Sequence, residues 1–299
     1  MGPVDRGELG QIWRLEVGSA AYAVKEPFAP IDEVSLQLAA DLQERAAAYG
    51  VRAPRQLRTR DGRSTIRVDA VPVRVYGWVE LAGPDRGLDP AAVGAMLAAL
   101  HRAGGPTQGE VPSWYADPVG DQRWTELVGD LERSGAPFAA AMRSLGSELA
   151  RSESILRRPG PELIVAHRDL WADNVRAGPD GSVVVIDWDN SGPVEPVQEL
   201  AMVLVEFGTT AHRARTLHDA YVRLGGPATL TAVSDFTLPL AVLHHLLERA
   251  AQTWLAAPDD AGRRRAERSV AEFVLDPVTV AVAEQLLRAV RGACRGAGR

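Results

Sequence analysis

Polar and apolar positions along this chain change rhythm near residue 80. Before it they run in short strand-like stretches. Gln11–Val17 reads as a strand, Gly18-Ser19 as a tight turn and Ala20–Glu26 as the returning strand. Any strand ahead of Gly7 must be very short, since about six residues precede it. Residues 31–49 carry a helical stripe of Val34, Leu38, Leu42, Arg45 and Tyr49, with Pro30 before it and Gly50 as its stop. Strands are expected at Arg55–Thr59 and Ser64–Asp69, joined through Asp61-Gly62, and at Val73–Leu81 between Pro72 and Gly83-Pro84.

After residue 80 the pattern is mainly helical. Pro90–Arg102 opens behind Asp89, an N-cap next to a proline at the first helical position. Residues 104–120 read as a loop, and Trp124–Ser134 and Phe138–Leu156 as helices. Further helices are expected near 210–224, 228–255, 259–275 and 277–292, with Gly225-Gly226 and Pro258 as breaks and a disordered tail from Gly296.

The helical part is interrupted once. Two short apolar runs, 163–166 and 183–186, are β-branched and end on polar residues, and Gly178-Pro179-Asp180-Gly181 turns the chain between them. His167–Asn174 and Asp187–Asn190 therefore sit on loops just beyond buried strands. Asp169, Asn174 and Asp187 are brought toward one place. Two carboxylates and an amide oxygen are hard ligands that suit Mg²⁺.

Composition narrows the class. With 299 residues, 46% hydrophobic and 24% charged, the chain has globular composition and length for one large domain or two lobes. No apolar run approaches the ~20 residues of a membrane span, and the first residues lack the apolar core of a signal peptide. Cys294 is the only cysteine, so no internal disulfide is possible, and a cytoplasmic setting is expected. A formal charge of −6 argues against nucleic acid and for a cationic ligand. Of 33 basic residues only Lys25 is lysine. In a chain that writes arginine almost everywhere, that lysine marks a place where a compact ammonium is required.

The spacing His167-Arg168-Asp169-Leu170, three residues, Asn174 follows the kinase catalytic loop H-R-D-L-x-x-x-N. Ala23-Val24-Lys25 resembles the V-A-I-K end of the third kinase strand, and Asp187 stands where the kinase metal-binding aspartate stands, with Trp188-Asp189 after it. The pairing of H-x-D-L-x-x-x-N with I-D-W-D resembles the aminoglycoside phosphotransferase and choline kinase family. The resemblance covers most of the chain, but only 23–25 and 167–189 are specific.

That resemblance implies an α+β, bilobal, protein-kinase-like fold. Residues 1–80 would form a nucleotide-binding lobe with an antiparallel sheet and one helix, and 81–299 a larger, mainly helical lobe. Lys25 would fix the nonreacting phosphates of ATP or GTP, Asn174 and Asp187 would hold Mg²⁺, and Asp169 would accept the proton of the acceptor hydroxyl. Adenine would bond to backbone near Val79–Leu81 and pack on Ala23. Apart from the resemblance, Gly7-Glu8-Leu9-Gly10-Gln11 ahead of the hairpin offers backbone N–H groups that would cover the phosphates; it is not G-x-G-x-x-G, a glycine loop that the family also lacks. A helix glutamate would orient Lys25. Glu33 and Glu44 lie eleven residues apart on one face, and Glu44, deeper along the helix, is preferred. Glu199-Leu200-Ala201 resembles the family's Asp-Leu-Ala element, whose acid braces the catalytic loop.

Only a handful of residues separate Asp187 from Pro193, too few for an activation loop, which favours a small-molecule acceptor over a protein. The expected activity is O-phosphorylation of a small cationic molecule, foremost an antibiotic. The alternatives are a metabolic kinase for an amino-alcohol, sugar or homoserine, and a nucleotide-binding module without catalysis. Candidate acceptor contacts are Asp117, Asp121, Glu126, Asp130, Glu206, Asp219, Tyr221, His245, Glu248 and Trp254. Nothing in the sequence separates monomer from dimer.

Overall fold

A computed structural model describes residues 2–6, 10–28, 32–69 and 71–291. It divides into two compact units, Met1–Thr107 with Ile164–Pro193 and Asp219–Pro227, and Gln108–Leu163 with Val194–His218 and Ala228–Arg299.

The first unit is built on an antiparallel sheet. Its strands are β1 (Gly2–Arg6), β2 (Gly10–Val17), β3 (Ala20–Pro27), β4 (Gln56–Leu57), β5 (Ile66–Val68) and β6 (Val71–Gly77), ordered β1-β2-β3-β6-β4 with β5 also on β6. β2 and β3 form the expected hairpin, closed by Gly18 at φ 60°, a left-handed conformation that glycine adopts without penalty. β3 pairs with β6 so that Lys25 lies directly opposite Arg74.

The expected hairpin between 55–59 and 64–69 does not form. Both segments pair with β6 instead, β4 along Val75 and Tyr76 and β5 along Val71 to Val73. The turn at Asp61-Gly62 is present, with Gly62 N–H donating to Thr59 C=O. The longer strand β6 offers each segment more partners than they offer each other.

Helix α1 (Glu33–Ala48) starts on Asp32, whose carboxylate accepts from Ser35 N–H at 2.9 Å. Its buried face is Leu36, Ala39, Ala40, Leu42, Gln43 and Ala46, whereas Val34 and Tyr49 are exposed. The buried stripe is therefore rotated from the one expected from bulky residues. The helix lies close to its neighbours through alanines, which periodicity of large side chains does not register. α1 packs on α2 (Pro90–Gly104) and on a 3₁₀ turn at Trp188–Asn190. α2 is capped by Asp89, as expected, and its last residue, Gly104, lets the helix end against the Val165 carbonyl, where a Cβ would collide.

The interruption at 163–194 contains four short strands. After β7 (Pro106–Thr107), β8 (Leu163–Ala166) lies between β7 and β11 (Gly192–Val194), while β9 (Val175–Ala177) pairs with β10 (Val183–Val185). The hairpin closed by Gly178–Gly181 is thus β9–β10, and the first apolar run belongs to a different sheet. The Arg52 carbonyl accepts from Val185 N–H at 2.8 Å, and Ala82 N–H donates to the Ala177 carbonyl at 2.9 Å. These bonds tie the hairpin to the segments after α1 and β6.

The second unit is helical: α3 (Asp121–Arg133), α4 (Ala139–Glu153), α5 (Pro196–Phe207), the start of α6 (Ala211–Arg223), α7 (Thr237–Ala256), α8 (Asp260–Leu275) and α9 (Val280–Arg291). Trp124, Leu127, Leu131, Met142, Leu247, Trp254 and Val270 form its core. The helix expected from 228 begins only at 237, because the Asp235 carboxylate accepts from Thr231 and Ala232 N–H at 2.7 and 2.9 Å and holds the preceding turn. Among the described residues no helix is long and apolar enough to cross a membrane.

Candidate active site

The site lies within the first unit. Its loops leave the ends of β8 and β10. His167 is fully buried: its Nε2 lies 3.0 Å from the Ile186 carbonyl and its ring packs edge-on against Trp188 at 5.0 Å. Arg168 is buried with φ 65°, a conformation costly for a side chain bigger than glycine. It is held there by donating from Nε to the Asn190 carbonyl at 2.6 Å and from Nη2 to the Ser191 carbonyl at 3.3 Å. Gly192 makes room for this guanidinium, since a Cβ would stand 2.5 Å from its Nη2. Asp187, at φ 56°, is the second left-handed residue of the site.

Asp169 follows this anchored pair. Its Oδ2 accepts from Asn174 Nδ2 at 2.9 Å and from Asn190 Nδ2 at 2.9 Å. Both amides hold the same oxygen, and Oδ1 takes no hydrogen bond from the described residues. Burial raises the Asp169 pKa above the ordinary carboxylate value, with the nearby Asp187 charge adding to it and the Asn190 and Asn174 bonds opposing it. Asn190 carries no sequence signal beyond its position three residues after Asp187.

Lys25 and Asp187, 162 residues apart, meet with Nζ 2.5 Å from Oδ1. Lys25 Nζ is also 2.8 Å from Asp189 Oδ2. Asp189 is in turn gripped by Arg74 through both oxygens, at 2.6 Å on the Nη2–Oδ2 side. Burial pushes the Lys25 ammonium down, but Asp187 and Asp189 outweigh it and hold its pKa above the ordinary value. Burial likewise opposes the Asp189 charge, yet Arg74 and Lys25 bring its pKa down to about 2.

Glu44 is not brought to Lys25. It accepts from Arg58 Nε at 2.6 Å, and Glu33 is exposed in the first turn of α1. Ala23 stands opposite Tyr76 in the β3–β6 ladder. β6 ends at Gly77, four residues earlier than expected, and Trp78 is covered by Arg14 at 4.7 Å and donates to Glu80 at 2.7 Å. The backbone groups of Val79 and Leu81 make no hydrogen bond with the described residues. Gly7, Glu8 and Leu9 lie outside the described residues. Glu199 is fully buried in the first turn of α5.

Among the acceptor candidates, Trp254 belongs to a helical core and Tyr221 is buried on His101, with Nδ1 2.9 Å from the tyrosine oxygen. Asp130 pairs with Arg133. His245 stacks on Trp114 at 5.0 Å and Glu248 accepts from Arg123 at 2.5 Å.

The donor set fits Mg²⁺. Asn174 gives its amide nitrogen to Asp169, which leaves its oxygen for a cation, and Asp187 has one oxygen on Lys25 and its side chain 42% exposed. No group of three or more His, Cys, Asp or Glu side chains gathers as a metal site among the described residues. Mg²⁺ keeps waters and takes one or two protein carboxylates beside substrate phosphates.

No curated protein matches the chain. Among solved structures it is similar to an aminoglycoside phosphotransferase from Alicyclobacillus acidocaldarius (16% identity, 97% of this chain and 90% of that one, TM-score 0.62). It is also similar to a spectinomycin phosphotransferase solved with ADP and spectinomycin (14%, 97% and 91%, 0.65). A microcompartment-associated aminopropanol kinase aligns at 19% identity over 96% and 92%, with TM-score 0.55. These likenesses establish the kinase-like fold: a small antiparallel-sheet region followed by a mainly helical remainder. Residues 2–236 match the model of the phosphotransferase enzyme family, and the chain belongs to that family, as an enzyme that transfers phosphoryl groups to hydroxyl groups of small molecules.

Proposed function

We propose that this enzyme moves the γ-phosphoryl group of ATP, or GTP, to a hydroxyl of a small cationic molecule, foremost an antibiotic of the aminoglycoside or basic-peptide kind, in the cytoplasm. Residues 1–80 serve the nucleotide and 81–299 carry the catalytic loop and acceptor contacts. The observation that carries the reading is the pairing of two anchored groups: the lone lysine on Asp187, and Asp169 held by one oxygen with the other left clear.

Lys25 binds the nonreacting phosphates. Adenine lies along the Val79–Leu81 backbone with Ala23 on its face. Asn174 and Asp187 hold Mg²⁺, which when bound neutralises charge on the phosphates. Asp169 orients the acceptor through Oδ1 and takes its proton there, a positioning role more than a strong-base one. The intact set of Lys25, Asp169, Asn174 and Asp187 speaks against a module without catalysis.

A screen of ATP consumption over antibiotics and amino-alcohols, with Mg²⁺ omitted as control, tests this. A cationic antibiotic should be the best acceptor, with a KM that rises with NaCl while kcat changes little. A simple amino-alcohol, sugar or homoserine as the best acceptor would make the chain a metabolic kinase. Mg²⁺-independent or absent consumption would defeat the reading.

A further inference from the structure

We propose that Asp189, locked by Arg74, is the positioning residue for Lys25 in this enzyme, in place of a glutamate from α1. The inference deepens the proposed function and rests on it only for what Lys25 binds. It starts from the ladder register. Lys25 on β3 and Arg74 on β6 are directly opposite, and both side chains are largely buried, at 12% and 3% exposure. Two cations facing each other across a pair of strands repel, and a buried cation needs a counter-charge. Asp189 supplies it to both. Its carboxylate meets the Arg74 fork through two oxygens, and one of these, Oδ2, is also 2.8 Å from Lys25 Nζ.

The two aspartates on Lys25 are not equivalent. Asp187 is 42% exposed and carries an oxygen clear of the lysine, whereas Asp189 is 15% exposed with both oxygens engaged by Arg74 and Lys25. Were Asp187 to serve a metal, Asp189 would still fix the ammonium. Arg74 is suited to this because only a guanidinium presents two parallel donors to one carboxylate. Its Nη1 also donates to the oxygen of Tyr76, two residues on along the same strand, at 3.2 Å. The helix glutamates are occupied elsewhere or exposed: Glu44 is on Arg58 and Glu33 faces solvent. Asp189 thus touches the lysine, and Arg74 keeps that carboxylate from leaving.

The single lysine makes a direct test possible. Lysine labelled with ¹³C yields one side-chain signal set, and relaxation of its Cε reads how firmly Lys25 is held in the nucleotide-free chain. In an Asp187→Ala background, which removes the carboxylate 2.5 Å from the ammonium, Asp189→Asn and Arg74→Gln should lower the Cε order parameter toward that of a free lysine, while Glu44→Gln and Glu33→Gln should leave it unchanged. In kinetics Asp189→Asn should raise the KM for ATP about tenfold or more without altering the Mg²⁺ requirement, and should add little in a Lys25→Met background. If Asp189→Asn does not fold, Arg74→Lys, which keeps the charge and loses the fork, carries the same measurement and should also mobilise Lys25. The proposal is overturned if Lys25 stays immobile in these variants, if Glu44→Gln frees it, or if Asp189→Asn raises the Mg²⁺ requirement as a metal ligand would. The relaxation arm needs no nucleotide. A lysine freed as expected in a chain that never binds ATP would defeat the phosphotransfer reading and uphold this one.

Discussion

Asn190→Ala isolates how Asp169 is aimed. In the wild type Asp169 Oδ2 accepts from two amides at 2.9 Å, one on Asn174 and one on Asn190. The substitution removes the second and leaves the carboxylate free to turn about the first. A hydrogen bond to a charged group is worth about 1.5–3 kcal/mol. If that whole amount serves the aim of Oδ1, the barrier rises by as much, and each ~1.36 kcal/mol is tenfold in rate. The loss is therefore between about tenfold and about 150-fold. Because Asn174 still grips Oδ2, the low end is expected. The loss should fall on kcat, measured by coupled ADP release with the best acceptor from the screen. ATP affinity, measured by calorimetry, should stay within about twofold, since Asn190 touches neither Lys25 nor Asp187 in any bond that defines the nucleotide side. A kcat unchanged by the substitution, or a loss confined to ATP binding, would refute the reasoning.

Four further variants test the same geometry. Asp169→Asn should cut transfer by roughly 10²–10⁴-fold, because Oδ1 loses its basicity while an amide oxygen still fits between Asn174 and Asn190. The same variant should gain stability at neutral pH. The folded Asp169 pKa is raised, so the folded state binds more protons than the unfolded one and wild-type stability falls as pH climbs from the ordinary carboxylate value through the raised one; thermal melts of the two should coincide in acid and separate above that window. Lys25→Arg should raise the KM for ATP and lower kcat despite keeping the charge, since a fork does not fit between Asp187 and Asp189 as an ammonium does; unchanged kinetics would mean that the lone lysine is an accident of composition. Asp187→Asn should raise the Mg²⁺ needed for half-maximal rate, checked by titration, and Gly192→Ala should lower stability by about 1–3 kcal/mol in urea melts, because its methyl meets the Arg168 guanidinium.

Much of this was legible in the sequence because the chemistry needs fixed residue types at fixed local spacing. The 167–174 loop and Asp187, which the structure places in one unit with Lys25, announce themselves that way, and Lys25 stands out against a background of arginine. The β2–β3 hairpin and the Asp89 cap are local devices and are readable for the same reason. Arg74 is not readable. It is one arginine among many on a strand, and only the register of β3 against β6 brings it opposite Lys25. The choice of Asp189 over Glu44 as the lysine's second acid is equally non-local, since helical periodicity places Glu44 on a face but cannot say that Arg58 waits there. The α1 stripe and the 55–69 hairpin failed because alanine packing and the competition of three strands for β6 leave no trace in the size or spacing of the side chains.

The most direct measurement follows the phosphoryl group itself. Wild type and Asp169→Asn are incubated with γ-labelled ATP, Mg²⁺ and a panel of cationic hydroxyl compounds, and the products are read by ³¹P NMR. The account predicts a new phosphate monoester on one acceptor with the wild type and none with the variant. Label released only as inorganic phosphate, or a monoester formed equally well without Asp169, would contradict it.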